Sequence, residues 1–270
     1  MMWKRRVSQT FFLIALHANF WGFQVVSFCN PVLSCHSCAW SWFACPIGVI
    51  AHFSSWAAFP FLGLGAMLLI GALVGRLFCG WVCPFGFVQD LLFKIPSRKF
   101  ALPEWTRYFK YAMLLLGVIL LPALLGALTN FSFCRICPAS ALETSTPDLI
   151  LSGFAMPSTM TLVRFGFLFG FLGLAVVSTR SFCRVFCPIA AIMAPLNYLC
   201  FWVVKVPETK CLDCGKCDRS CPTDVKPSVR IDKGVSPSRA TDCIVCHDCQ
   251  GSCPQTRRLK KNAAIKTAAL

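Results

Sequence analysis

The sequence predicts an α-helical integral membrane domain of about four transmembrane helices with a two-fold internal repeat, followed by a small α+β domain built on clustered cysteines. Three observations lead there. The 270 residues are 56% hydrophobic and only 14% charged, with a mean hydropathy of +0.64, so apolar runs near the ~20 residues that cross a bilayer are expected. There are 19 cysteines, and most recur at short fixed spacings that suit metal better than a disulfide framework. Apolar runs and cysteine pairs also alternate in the same order twice.

The first span is expected near 7–26, behind Lys4, Arg5 and Arg6. A basic start before an apolar run also describes a signal peptide, but Ser27-Phe28-Cys29-Asn30 lacks the small residues of a cleavage site. A retained helix follows. Further spans are expected near 56–74, 111–129 and 161–179, with Arg164 placed to snorkel. Residues 190–204 are apolar but short, and read as interfacial.

Orientation comes from Lys and Arg beside the spans. Residues 28–55 hold none, 76–110 hold Arg76, Lys94, Arg98, Lys99, Arg107 and Lys110, and 130–160 hold only Arg135. This predicts a multi-pass protein of the cell inner membrane with both termini cytoplasmic. The net charge of +15 then has a topological cause. No basic stripe interleaved with aromatics suggests nucleic acid, so no nucleic-acid partner is expected.

Residues 205–256 turn polar. They contain Cys211-x2-Cys214-x2-Cys217-x3-Cys221-Pro222 and repeat it as Cys243-x2-Cys246-x2-Cys249-x3-Cys253-Pro254. This is the bacterial two-cluster ferredoxin run, in which three close thiolates hold one [4Fe–4S] cluster and the fourth reaches the other. Cys211, Cys214, Cys217 and Cys253 are therefore expected to hold one cluster, and Cys243, Cys246, Cys249 and Cys221 the second. Structural zinc also uses CxxC pairs, but does not account for four cysteines per run with proline after each fourth. Cys243-Ile-Val-Cys246-His247 matches a haem-attachment pattern, inside a complete ferredoxin run where it reads as coincidence.

Cys-Pro occurs six times, against about one expected from composition. The four outside the ferredoxin runs are Cys45-Pro46, Cys83-Pro84, Cys137-Pro138 and Cys187-Pro188, all near span ends. Outer pairs (Cys35 and Cys38; Cys134 and Cys137) and inner pairs (Cys79 and Cys83; Cys183 and Cys187) give each half the order helix, outer pair, helix, inner pair. Halves of equal topology should be related by an axis along the membrane normal. Such an axis would gather Cys79, Cys83, Cys183 and Cys187 inside, and Cys35 or Cys45, Cys38, Cys134 and Cys137 outside. Further redox metal at these pairs, redox-active dithiols, structural thiols and an outer disulfide all remain open readings. Cys29 and Cys200 fit no motif. Of His17, His36, His52 and His247, only His17 and His52 are conceivable ligands for a buried haem.

At Arg76-Leu77-Phe78-Cys79-Gly80-Trp81-Val82-Cys83-Pro84-Phe85-Gly86 the sequence resembles the NapH/MauN family of membrane ferredoxin-type proteins. The resemblance continues through Cys183-x3-Cys187-Pro188 and both ferredoxin runs, and is similar to the membrane iron–sulfur portions of NosR and CcoG proteins. It implies four spans, two cytoplasmic [4Fe–4S] clusters and electron exchange with the quinone pool, with Cys79, Cys83, Cys183 and Cys187 as the paired CxxxCP motifs. Cys35, Cys38, Cys45, Cys134 and Cys137 go beyond that pattern. The expected function is an electron-transfer subunit embedded in lipid, with quinone or quinol and a partner redox protein or multisubunit oxidoreductase as partners. No acid–base pair or nucleophile constellation appears. The basic tail 257–270, with Arg257, Arg258, Lys260 and Lys261, would steer an acidic carrier or bind anionic lipid. A maturation factor supplying electrons or metal to another metalloenzyme is the alternative. A transporter would need paired intramembrane charges.

Overall fold

The computed structural model describes residues 2–19, 25–35, 38, 40–126, 129–130, 132–153, 158–205 and 211–256. The basic tail and His36 lie outside the described residues.

The chain is mostly helical. Two helices are long and apolar enough to cross a membrane, Glu104–Leu125 and Thr159–Val177, each with a mean hydropathy of 2.0 over its most apolar window. At 1.5 Å per residue the second is about 28 Å long, close to a bilayer's hydrocarbon thickness. Most of their residues face outward, including Leu115, Leu124, Leu162 and Phe169, as contact with lipid would require. A shorter apolar helix, Phe61–Val74, presents Phe61, Leu62, Leu69 and Leu73 in the same way.

The element bounds differ from the expected spans in instructive ways. Helix Met2–Leu16 stops ten residues short of 26. Its continuation is taken by loop pairing: Asn19 N–H donates to Trp40 O (3.2 Å) and Trp42 N–H to Leu16 O (3.3 Å). Strand Val25–Cys29 then pairs in parallel with Phe43–Ala44, in keeping with the β-branched Val25 and Val26. The second helix starts at Phe61 and not at 56, because Pro60 occupies its N-cap and Ala57 has φ 51°. The third begins at Glu104 through a 3-10 turn.

The apolar segment 190–204 is not exposed throughout: Tyr198, Leu199, Phe201 and Trp202 face outward, as an interfacial stretch would, but the first half is buried. Helix Pro188–Leu196 buries Ile189, Ala190, Ala191, Met193, Ala194 and Leu196. It packs so closely on the helix of Gly71 that a Cβ there would lie 2.3 Å from Leu196 Cδ1. Nor is the cysteine-rich domain α+β: among the described residues of 211–256 there are short helices, Lys216–Arg219, Pro227–Asp232 and Asp248–Ser252, and no strand. Loop turns around ligands replace the sheet.

The four membrane-side Cys-Pro pairs share one local structure. Each cysteine is the N-cap of a helix with proline at its first position: Cys45 (φ −70°, ψ 123°), Cys83 (−63°, 118°), Cys137 (−64°, 124°) and Cys187 (−68°, 114°). Proline forces the preceding residue into extended backbone and needs no amide partner at a helix start. Cys-Pro thus fixes both the turn and the direction in which the thiol leaves it.

Candidate metal centres

The two ferredoxin-type runs adopt the same backbone. Residues flanking the second cysteine of each are left-handed: Asp213 (φ 48°) and Gly215 (φ 61°) around Cys214, Val245 (φ 50°) and His247 (φ 61°) around Cys246. Glycine adopts this region freely, whereas a β-branched valine there is held by its surroundings. These turns bend each run around a centre. Cys211, Cys214, Cys217 and Cys253 line one small cavity, and Cys221, Cys243, Cys246 and Cys249 line a second. Each cavity thus collects three cysteines from one run and the fourth from the other.

Amides reach the sulfurs: Val225 N–H donates to Cys221 Sγ (3.5 Å) and Val245 N–H to Cys243 Sγ (3.4 Å). Burial pushes the thiols of Cys243 and Cys249 up to about 12 and that of Cys217 to about 11. Coordination, which takes the thiolate, would therefore release protons here. Among the described residues, no three His, Cys, Asp or Glu side chains converge closely enough for one metal ion. Four thiols spread around a cavity match a polynuclear group, with one-electron chemistry as its contribution.

A third four-thiol cavity lies between the halves of the membrane domain. Cys79, Cys83, Cys183 and Cys187 line it with Leu33, Arg76, Phe85 and Phe182. We call it the near cavity, because it abuts the ferredoxin-type runs. Its walls are reciprocal. Arg180 Nη1 donates to Cys79 O (2.6 Å) and Arg76 Nη2 to Cys183 O (3.5 Å), so each half's arginine holds the other half's cysteine loop, as a two-fold relation produces. Gln89 Nε2 donates to Cys183 Sγ (3.2 Å) while its Oε1 accepts from Phe182 N–H (3.2 Å).

The runs dock on this face by buried polar contacts that sequence reasoning missed. Arg180 forks onto Asp90 (2.8 and 2.6 Å). Arg5 bridges Asp90 (3.1 Å) and Asp248 (2.5 Å). Lys110 and Arg76, both fully buried, meet Asp242 at 2.5 and 3.6 Å. Asn197 Nδ2 donates to Ala240 O (2.8 Å) and Cys243 O (2.7 Å). Burial opposes ionisation of Asp90 and Asp242, but Arg180 and Arg76 respectively hold them below the ordinary carboxylate value. The available signal was scarcity: with only 11 acidic residues, an Asp immediately before Cys243 and another before Cys249 stand out. At Gly80 a Cβ would lie 2.4 Å from Ile244 O, so the CxxxCP loop touches the second run backbone to backbone.

A fourth, larger cavity lies on the other side of Leu33. Cys35, Cys45, Cys134 and Cys137 line it with Leu33, His52, Arg135, Thr144 and Arg164. We call it the far cavity. Of the five outer cysteines, Cys35, Cys45, Cys134 and Cys137 line this cavity and Cys38 does not. Cys-Pro geometry outranks CxxC spacing here. Arg164 donates to Arg135 O (2.8 Å) and Ser145 Oγ (3.2 Å). His17 is held by Leu13 O (2.9 Å) and Glu143 (3.5 Å), and His52 packs on Trp56. Cys29 and Cys200 are buried and line none of the four cavities.

Residues 56–103 and 159–207 each match the 4Fe-4S binding domain, which places Cys79, Cys83, Cys183 and Cys187 in the matched segments. YccM of Escherichia coli, named for a proposed role in electron transport, is 30% identical over 60% of this chain and 45% of its own. The ferredoxin-type protein NapH of Haemophilus influenzae is 29% identical over 61% and 54%. The methylamine utilization ferredoxin-type protein MauN of Methylobacillus flagellatus is 28% identical over 65% and 63%. The chain is a distant homologue of these ferredoxin-type proteins. It spans about half to two thirds of the length of these relatives. No solved structure matches it. These matches give the chain 4Fe-4S binding segments and a likeness to ferredoxin-type proteins.

Proposed function

We propose that the chain moves electrons between the membrane quinone pool and a partner redox protein. The route is two [4Fe–4S] clusters, on Cys211, Cys214, Cys217 and Cys253 and on Cys221, Cys243, Cys246 and Cys249, with a third site in the near cavity. The observation that carries this reading is the exchange of the fourth cysteine between the two runs, which gives two complete four-thiol sets side by side. The near cavity supports a path into them, since its Gly80 rests on Ile244 of the second run.

In this reading four helices cross the membrane, Met2–Leu16 and Phe61–Val74 joining the two longer ones, with both termini cytoplasmic. The chain's own groups exclude water from the sulfurs, aim amides and Gln89 at them, and set their potential by those hydrogen bonds and by burial. Quinol-dependent bleaching of iron–sulfur absorbance in proteoliposomes tests the proposal. Clusters reduced by dithionite but never by quinol would sink it.

A second reading, a maturation factor delivering electrons or metal to another metalloenzyme, is favoured by one observation. The far thiols lie at a cavity of about 470 Å³, large enough to admit a foreign group. Thiol–disulfide exchange or metal reduction there without any need for quinol would support it.

A further inference from the structure

We propose that the far cavity is an additional iron–sulfur site, with Cys35, Cys45, Cys134 and Cys137 as the four ligands of a [4Fe–4S] cluster. Neither the ferredoxin-type runs nor the matched segments 56–103 and 159–207 include these residues.

Four features of the chain carry the inference. The first is the donor set: four thiols from three separate segments line one cavity. Soft thiolates in fours are the ligands of iron–sulfur clusters and of zinc. A space of about 470 Å³ has room for the larger of the two.

The second is a shared mould. Cys45 and Cys137 cap their helices with the same backbone angles as Cys83 and Cys187 of the near cavity.

The third is charge. Four thiolates around a cubane carry net negative charge, and Arg164 stands in the cavity wall, fixed by Arg135 O and Ser145 Oγ. The Cys35 amide is likewise fixed, donating to Glu143 Oε2 at 2.5 Å. The fourth is position. Leu33 lines both the far and the near cavity, so the two sites share a wall residue. A cluster here extends the row of centres to the side of the membrane domain away from the ferredoxin-type runs.

The test counts metal and is independent of whether quinol is the donor. Full-length protein is purified without oxygen from cells grown on ⁵⁷Fe, and iron, acid-labile sulfide and Mössbauer spectra are compared across variants. The double variant Cys45→Ser with Cys137→Ser should lose about four irons and four sulfides per chain and keep the rest. Cys38→Ser, in the same loop but off the cavity, should lose none. A double variant that retains its full iron content overturns the proposal. Should that variant fail to accumulate, thiol mapping on the wild-type chain decides. Protection of Cys35, Cys45, Cys134 and Cys137 from alkylation until iron is stripped supports the site. Free labelling, or a disulfide among them in the iron-loaded protein, overturns it.

Discussion

The ferredoxin-type runs and the membrane-side cavities reach the same donor set, four thiols around a small space, by opposite routes. In the runs, three ligands come from seven consecutive residues, and left-handed turns at Asp213, Gly215, Val245 and His247 bend the loop around the centre. In the near and far cavities, no run supplies more than two ligands. Helix N-termini fixed by Cys-Pro deliver half of them, and the two halves of the repeat must meet to complete the set. A loop site carries its geometry locally, whereas a membrane-side site borrows it from the packing of the whole domain. One consequence is visible in exposure: Cys214 is exposed, while Cys79, Cys83, Cys183 and Cys187 are all buried.

The sharpest way to break this comparison is at the crossed ligands. Cys253→Ala should cost the cluster of the first run, about four irons per chain, and spare the second. Loss of the second-run signal in EPR would show that the runs do not exchange ligands. Next in size is Asp242→Ala, which strands Lys110 and Arg76 as buried, unpaired cations. Removing one partner of such a pair costs about 3–5 kcal/mol, read as an earlier thermal loss of cluster absorbance, while Asp232→Ala at an exposed helix end should change little. The same contacts give a pH dependence. Asp90 and Asp242 are held below the ordinary value of 3.8. Their contribution is therefore complete above that pH and is lost as the pH falls through their lower folded values. Asp248, raised by burial despite Arg5, protonates first of the three. Protonation of Asp248 favours the folded chain as the pH falls toward 3.8, so the test lies below that value: stability that rose on further acidification would contradict the ion-pair assignment of Asp90 and Asp242.

Gly80→Ala sets a Cβ against Ile244 O and should cost about 1–3 kcal/mol by overpacking, again in thermal melts, with both ferredoxin-type clusters still formed. The smallest effect is expected at Pro84→Ala. Proline at a compatible helix start contributes about 0.4–1 kcal/mol through the unfolded chain, so the near site should survive with slightly lower stability. Collapse of the near site in that variant would mean that the Cys-Pro turn is held by little else.

The same contrast explains what was legible in the sequence. The eight run cysteines could be read from spacing because their geometry is local. The inner quartet could be read from the repeat, since Cys79 with Cys83 and Cys183 with Cys187 occupy equivalent places. The outer set is less legible: spacing offers Cys35 or Cys45 with Cys38, Cys134 and Cys137, whereas the cavity is lined by Cys35, Cys45, Cys134 and Cys137, with Cys45-Pro46 and Cys137-Pro138 capping their helices alike. The docking contacts are not legible at all: in the sequence Arg5, Arg76 and Lys110 look like topological charge, yet they lie buried against Asp90, Asp242 and Asp248. Burial of a cation depends on which distant carboxylate folds over it, and no local pattern records that. Helix ends failed for a related reason: hydropathy continued past Leu16, but cross-loop amide bonds to Trp40 and Trp42 ended the helix.

Gly80 has a further consequence. A module that rests peptide on peptide against its membrane base, with Asp242 and Asp248 paired to buried cations beneath it, is braced at several points and not hung from one. On the electron-transfer role proposed above, a soluble partner would come to it, and Cys214 with its neighbour Leu212 are the groups there that reach solvent.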